Sequence, residues 1–278
     1  MRRAGLTWDG DPRVKPPFGA AEVDWRHPLA NGLVGLWLMN EAAGPVYNMI
    51  QRRPETVVTT SGWSVNASGL TLTARTIGDG IQLPSTTEDL TVDWTIVARL
   101  RRQTLPAGGL AIPIYSRWTN TTTQRQFYFY FRPPDVASPN QLQLDIPWIA
   151  AILTGATPLT DTTTVHSVGA SRAGTAWTAW LDGIADGSAT NATAQESAQT
   201  TSPWWGYGTF DNMSMAGDFT QALVWRVAQP ASRMLQLHTE PYAMLRPRVA
   251  RRYFVPAAAG GMLPYTPLRR RRRRRLLT

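Results

Sequence analysis

The sequence predicts an all-β fold, a sandwich or jelly roll of antiparallel strands with one short helix. Three observations lead to this prediction. Short apolar segments recur along the chain, bounded by Gly, Pro, Asn or Asp, the residues that form turns. Charged residues make up only 17% of the chain, and Thr, Ser, Asn and Gln fill the difference, which suits strands with one face in water. Only one segment has helical spacing.

The predicted strands begin after Gly32. The first, Leu33–Met39, is an almost continuous apolar run, short enough for a buried strand. The tight turn Asp182-Gly183 is expected to end a pair of later strands. In the last strand, we expect one face to carry Phe219, Leu223, Trp225 and Val227. Further strands are predicted at residues 69–73, 80–83, 90–100, 126–132, 141–146, 165–170, 175–181 and 219–227.

The helix is predicted between Pro230 and Pro241. A proline is tolerated in the first turn of a helix, so Pro230 marks its start. Met234, Leu235 and His238 follow at i, i+1 and i+4, which places them on one side of the helix. Pro241 ends it, since proline cannot continue a helix.

The chain is predicted to divide into three parts. Residues 1–28 are polar and interrupted by prolines, which indicates an extended N-terminal arm ordered by contact with a neighbour. Residues 29–254 form the β-domain. Residues 255–278 are a flexible linker, beginning with the sequence PAAAGG, and a C-terminal arm of consecutive arginines.

The arginine run decides the charge of the protein. The chain carries 28 basic and 19 acidic residues, a net charge of +9, and without the run it is close to neutral, at +2 (21 against 19). Adjacent like charges need water or a polyanion, so the run is expected to bind nucleic acid without sequence preference, to bind an acidic protein surface, or to remain an unstructured solubilising end. It consists of Arg269, Arg270, Arg271, Arg272, Arg273, Arg274 and Arg275.

Five motifs occur in the order of a known fold: HPLANGLVGLWLMNEAAGPVYN (27–48), GDGIQLP (78–84), VDWTIVARLR (92–101), WTAWLDGIADG (177–187) and a closing segment (217–247) that ends EPYAMLRP. Together they resemble the phage-type laminin-G-like, concanavalin-A-like lectin/glucanase domains, over roughly residues 27–254. The resemblance implies a concanavalin-A-like jelly-roll sandwich of two curved antiparallel sheets. It leaves the function open, because this fold hosts lectins, glycosidases and structural modules.

The residues of the glucanase branch are missing, so we expect that the protein is not an enzyme. That branch uses two carboxylates across a sugar bond, usually two Glu on one strand. The chain has six Glu, none of which has another Glu two to five residues away. Cysteine is absent, and His27, His166 and His238 are far apart in the sequence. His166 is interpreted as a solvated strand residue.

No cofactor is expected, with calcium as the one alternative. Some proteins of the resembled family bind calcium through loop carboxylates. The candidates by residue type are Asp79, Asp182, Asp186 and Asp218, all of which are also ordinary turn residues beside glycine.

A glycan site would need an exposed aromatic platform with amides beside it. The candidates are Trp118 with Asn120, and the cluster Trp204, Trp205 and Tyr207 in a glycine-containing stretch. The alternative is that these tryptophans fill the core or a contact between subunits.

We therefore expect a non-enzymatic structural protein of a phage particle, capsid-associated, decorating or part of the tail, with a lectin-like body anchored by its arms. The alternative is a glycan-binding module of a tail fibre or spike that attaches to the host. Expected partners are other virion proteins, further copies of the chain, a polyanion at the arginine run, and a glycan in the alternative. No membrane or secretory segment is expected. The protein would be made in the host cytoplasm and located in the virion.

Overall fold

The structure is a computed structural model. It describes residues 8–41, 45–58, 63–66, 69–72, 80–83, 92–103, 111–118, 125–133, 139–146, 150–192, 202–208, 213–215 and 217–248. The predicted boundary of the β-domain at residue 254 and the arginine run lie outside these residues, and both stay predictions.

Strands are the main regular structure of the described residues. The early strands are β1 (Ala21–Val23), β2 (Leu33–Trp37), β3 (Val46–Asn48), β4 (Arg53–Val58), β5 (Trp63–Asn66), β6 (Gly69–Leu72), β7 (Gly80–Gln82), β8 (Trp94–Arg102), β9 (Ile112–Trp118) and β10 (Arg125–Phe131). The later strands are β11 (Leu142–Ile146), β12 (Ala150–Thr154), β13 (His166–Ala173), β14 (Ala176–Leu181), β15 (Ile184–Thr190), β16 (Trp204–Trp205), β17 (Tyr207–Gly208), β18 (Met213–Ser214), β19 (Gly217–Trp225) and β20 (Leu245–Pro247). The helices are a 3-10 turn (Pro28–Ala30) and α1 (Ala231–Thr239).

Two antiparallel sheets make up the body. The first sheet has the order β3-β2-β19-β8-β13-β14-β15, with β6 also paired to β19 and β5 to β6. The second sheet has the order β12-β11-β10-β9-β16-β7-β4. Strand β4 belongs to both, because Arg53–Glu55 pair with β3 and Thr56–Val58 pair with β7. The prediction of an all-β sandwich of two antiparallel sheets with a short helix near the C-terminus is confirmed.

The first hydrophobic core lies between the two sheets. Trp37 of the first sheet meets Trp205 of the second, with ring centroids 6.0 Å apart. Both indoles are completely buried. Around them pack side chains from both sheets, such as Trp94, Phe129 and Val224. Burying aromatic side chains of this size is the largest favourable contribution that a sandwich core makes.

A second core lies on the other side of the first sheet. Here Val97 and Trp225 of the sheet pack against an outer layer formed by the N-terminal segment, the 3-10 turn and α1. From that layer Trp8, Leu29 and Met234 contribute buried side chains. The first sheet is therefore covered on both faces, which explains why its strands are apolar without strict alternation.

The N-terminal segment takes its order from the same chain, whereas the sequence analysis expected a neighbour to supply it. Strand β1 pairs with β20, and Glu22 lies opposite Arg246, with which it forms an ion pair of 2.8 Å. Trp8 is buried in the second core. Apolar residues such as Trp8 and Val23 are spaced too widely among polar residues and prolines to show a strand or helix period in the sequence.

Two side-chain assignments in the predicted elements are wrong. In β19, Phe219 faces the first core while Leu223 and Trp225 face the second, because a register shift between Phe219 and Gln221 interrupts the alternation. In α1, the buried pair is Met234 and Leu237, at i and i+3, and Leu235 is exposed. His238 is half-buried and contacts the turn after β14.

The turn Asp182-Gly183 joins β14 to β15 and touches α1. Both residues have positive φ angles, 51° and 80°. A Cβ on Gly183 would lie 2.7 Å from the Cα of Leu235 and 2.8 Å from the carbonyl oxygen of Met234. Only glycine satisfies both the backbone angle and this close approach.

In the described part of the chain, no helix is long and apolar enough to span a bilayer.

We predict that Gly183→Ala lowers the free energy of unfolding by about 2–4 kcal/mol, because it adds a backbone clash to the left-handed conformation. Gly174→Ala is the matched control: its φ is 59° and nothing lies within 4 Å of the added Cβ. This control should lower the free energy of unfolding by only about 1–2 kcal/mol. Urea unfolding of the two variants measures the difference, and equal losses would contradict the contact between the turn and α1.

Candidate functional site

The second sheet presents a row of apolar residues to the core and a row of polar and aromatic residues to its other face. Side chains alternate along a strand, so residues in one cross-strand line share a face. The inner row runs across five strands and is wholly within the first core; it consists of Ile81, Trp205, Tyr115, Phe129 and Leu144. The outer row is one residue along; it consists of Gln82, Trp204, Ser116, Tyr128 and Asp145.

The outer row carries an amide, an indole, a hydroxyl, a phenol and a carboxylate in one line. At the usual spacing of strands it is about 19 Å long. Gln82, Trp204 and Asp145 are half-buried, while Ser116 and Tyr128 are buried. The half-buried members, Gln82, Trp204 and Asp145, can stack against a ring and exchange hydrogen bonds with hydroxyls.

Asp145 is held at one end of the outer row by two hydrogen bonds. The hydroxyl of Tyr130 donates to Oδ2 over 2.6 Å, and Nε2 of Gln143 donates to Oδ1 over 2.7 Å. Tyr130 also stacks on Tyr128, with centroids 4.5 Å apart and planes 22° apart. Burial raises the pKa of the Asp145 carboxyl above its ordinary value, while the bonds from Tyr130 and Gln143 oppose that rise.

At the other end, Trp204 forms an aromatic pair with Tyr207. Their ring centroids are 4.9 Å apart and the planes are nearly perpendicular, at 66°. Both side chains are half-buried. The hydroxyl of Ser116 donates to the carbonyl oxygen of Tyr207 over 2.6 Å, which fixes β17 over β9. Part of the ring of Trp204 and part of the ring of Tyr207 therefore stay accessible to solvent beside Gln82.

The candidate aromatic residues of the sequence analysis are divided by the structure. Trp205 is wrong as a sugar platform, because its side chain is completely buried between Trp37 and Tyr115. For Trp205 the alternative, a tryptophan that fills the core, describes its position. Trp204 and Tyr207 stand together in the outer row and beside it. Trp118 is the last residue of β9.

Some candidates lie outside the described residues, and their assignments stay predictions. They are the side chain of Trp118, the whole of Asn120 and Asp79, and the arginines 269–275.

Most of the outer row was not predicted from the sequence. Tyr128 and Tyr130 alternate with Phe129 and Phe131, so the phenols and the phenyls lie on opposite faces of β10. The alternation of polar and apolar residues in β11 likewise places Gln143 and Asp145 opposite the core side chains of that strand. This alternation was the signal that could have found the row.

The histidine interpretation is also wrong. His166 is not a solvated residue, since Nδ1 lies 2.7 Å from Oδ2 of Asp182 and Nε2 lies 3.5 Å from Oδ2 of Asp161. Nδ1 of His238 lies 3.5 Å from the other oxygen of Asp182. Asp182 therefore connects β13, its own turn and α1, a contact between residues far apart in the sequence.

The calcium candidates that the structure describes are engaged separately. Asp182 pairs with His166, Asp218 forms an ion pair with Arg101, and Asp186 accepts a hydrogen bond from the Thr157 amide. Within the described ranges, no three His, Cys, Asp or Glu side chains are grouped so that they could hold a metal ion.

Comparison with known proteins identifies the fold through solved structures. No protein-family model matches the chain, and no curated protein matches its sequence. The chain is similar to Trypanosoma rangeli sialidase in complex with sialic acid, with a TM-score of 0.58 and 13% identity, over 77% of this chain and 34% of the sialidase. It is also similar to domain 4 of an extracellular GH43 arabinanase from Geobacillus stearothermophilus, solved with arabinotriose, with a TM-score of 0.52 and 13% identity, over 79% of this chain and 99% of the domain.

These similarities show a shared β-sandwich. The chain spans about a third of the length of the sialidases that it matches, including a Trypanosoma rangeli mutant that displays trans-sialidase activity, at 15% identity and a TM-score of 0.55. The lectin-like part of the sequence resemblance is thus supported at the level of the fold. None of these named structures is a phage protein, and the phage-type assignment stays a prediction.

The comparison overturns the expectation that the chain is not an enzyme. That expectation was based on the carboxylate pattern of the glucanase branch. The similar structures named above are sialidases and a domain of an arabinanase, which are enzymes or parts of enzymes. The absence of the carboxylate pattern of the glucanase branch does not exclude enzymatic activity, because other enzymes contain the same fold.

We predict that Tyr130→Phe raises the pKa of Asp145 further, because it removes a hydrogen bond to the charged form. The free energy of unfolding should fall by about 1–3 kcal/mol near neutral pH. The folded protein keeps the Asp145 proton at pH values where the unfolded chain has released it. The stability that the Asp145 carboxyl contributes is therefore fully present below its pKa in the unfolded chain. This stability is lost as the pH rises through the pKa of the carboxyl in the folded protein.

A ¹³C NMR titration of the Asp145 carboxyl carbon measures the pKa directly. Tyr47→Phe, which changes a phenol of β3 in the first sheet, is the matched control and should leave the Asp145 pKa unchanged. An unchanged pKa in Tyr130→Phe would contradict the hydrogen bond.

Proposed function

We propose that this chain is a carbohydrate-binding module that holds an oligosaccharide against the outer row of the second sheet. The observation that carries the proposal is the outer row itself, whose half-buried members Gln82, Trp204 and Asp145 offer a ring and hydrogen-bonding groups on the face opposite the buried inner row. Sugar rings have apolar C–H faces and a rim of hydroxyls, so they need both kinds of contact. The arabinotriose bound to the similar arabinanase domain supports a carbohydrate ligand.

Each end of the outer row has a distinct role in this proposal. Trp204 and Tyr207 offer a ring surface for stacking, and Gln82 offers an amide beside them. At the other end, Asp145 accepts hydrogen bonds from sugar hydroxyls. Because Tyr130 and Gln143 already fix its carboxylate, binding costs little side-chain entropy at this position.

A structural role in a phage particle is a second candidate function, favoured by the arginine run 269–275 alone. In that role the run would bind a polyanion within the particle, and the β-sandwich would contact other virion proteins. Deletion of residues 269–278 tests it with a DNA duplex as the probe. Binding by the full chain should weaken steeply with salt and disappear in the deletion. A full chain that does not bind the duplex would contradict the nucleic-acid form of this proposal.

We predict that Trp204→Ala weakens oligosaccharide binding at least about tenfold, since aromatic anchors dominate binding energy. The probes are arabinotriose and a panel of neutral oligosaccharides, measured by isothermal titration calorimetry with the full chain. Gln82→Ala should weaken binding of the same ligand by a smaller factor. Ile184→Ala is the matched control, because Ile184 is an exposed apolar residue of β15 in the first sheet.

Two results would overturn this proposal. One is that no oligosaccharide in the panel binds the full chain. The other is that Trp204→Ala, shown to be folded by thermal unfolding, binds as tightly as the parent protein.

A further inference from the structure

A cavity of about 770 Å³ lies between the N-terminal segment and the first sheet, a size in the range of small-molecule sites. It is lined by residues of the segment 17–25, by residues that follow β2, by Tyr47 of β3 and residues that follow it, and by Arg246 of β20 and Arg248. This cavity belongs to the outer layer of the first sheet, whereas the outer row belongs to the second sheet. The two places share no residue.

The carboxylate of Glu41 is enclosed in the wall of this cavity. Glu41 is only 5% exposed. Its Oε1 accepts a hydrogen bond from the Tyr47 amide over 2.7 Å, and its Oε2 has no accessible surface. A ligand in the cavity therefore contacts the groups that are exposed around Glu41, and not the carboxylate oxygens themselves.

Large aromatic surfaces of this cavity stand open to water. Trp25 is 60% exposed and Phe18 is 52% exposed. Phe18 packs edge-on against Tyr47, with centroids 6.2 Å apart and planes 83° apart, which fixes the position of both rings. Exposed aromatic residues around a concave surface mark a binding site rather than a stabilising contact.

The same cavity has an excess of positive charge. Arg52, Arg246 and Arg248 line it and are exposed, and Arg246 is paired with Glu22. Among the residues that the structure describes, no carboxylate lies within ion-pair distance of Arg52 or Arg248. A guanidinium presents paired N–H donors that match the two oxygens of a carboxylate.

We infer that this cavity binds a saccharide that carries a carboxylate, as a second site beside the one proposed on the outer row. The ring lies against Trp25, and the sugar carboxylate contacts Arg52 or Arg248. A ligand that is only an anion would leave the exposed rings of Trp25 and Phe18 without a contact. A neutral sugar would leave the arginines unused.

The test uses the full chain and two carboxylated probes, trigalacturonic acid and 3′-sialyllactose. Their neutral counterparts are the methyl ester of trigalacturonic acid and lactose. At least one acidic probe should bind at least about tenfold more tightly than its counterpart in calorimetry at 0.15 M salt. The arginine run is present in every variant, so binding to it cannot imitate an effect of the cavity residues.

Trp25→Ala and Arg248→Ala should each weaken the acidic probe at least about tenfold, and both change exposed side chains, so folding is not at risk. The matched controls Ile184→Ala and Arg226→Ala change exposed residues outside the cavity and should stay within about twofold.

Three outcomes would overturn the inference: neither acidic probe binds, the neutral counterparts bind as tightly, or Trp25→Ala and Arg248→Ala bind as the parent does. The proposal of this site and the proposal of the outer row can be contradicted independently of each other. Trp204→Ala should leave the acidic probe bound in the cavity, and Trp25→Ala should leave a neutral oligosaccharide bound on the outer row.

Discussion

The structure depends on strand β19, whose two edges and two faces are all occupied. It pairs with β2 on one side and with β8 on the other, and all nine of its residues are buried. A strand in this position leaves no polar group to water, so its polar side chains must find partners. Asp218 pairs with Arg101, and the indole N–H of Trp225 donates to the carbonyl oxygen of Leu29 over 2.7 Å. The last bond fixes the outer layer to the centre of the sheet.

Local sequence patterns predicted where most strands lie, but not how they align. The apolar runs at Leu33–Met39 and 219–227 correspond to β2 and β19, because burial alone selects such residues. The face that Phe219 occupies depends on a register shift in the pairing with β8, and no neighbour in the sequence records that shift. The pairing of β1 with β20 was missed for the same reason, since it joins residues more than two hundred positions apart.

The candidate site was predictable only where two residues are adjacent in the sequence. Trp204 and Trp205 are consecutive strand residues, so one had to face the core while the other faced away. Which one faces outward is decided by the pairing of β16 with β7 and β9. The remaining members of the outer row come from four other strands. Their alignment is a property of hydrogen-bond register and cannot be obtained from the spacing of residues along the chain.

Strand β4 links the strand registers of the two sheets, because it is paired in both of them. Its first half is hydrogen-bonded in the first sheet and its second half in the second sheet. A slip of β4 by one residue would turn every side chain of the strand to the opposite face. It would also disturb the pairing with β3 and with β7 at once. A change of register in one sheet would therefore have to be matched in the other, which couples the alignment of the two sheets along this edge.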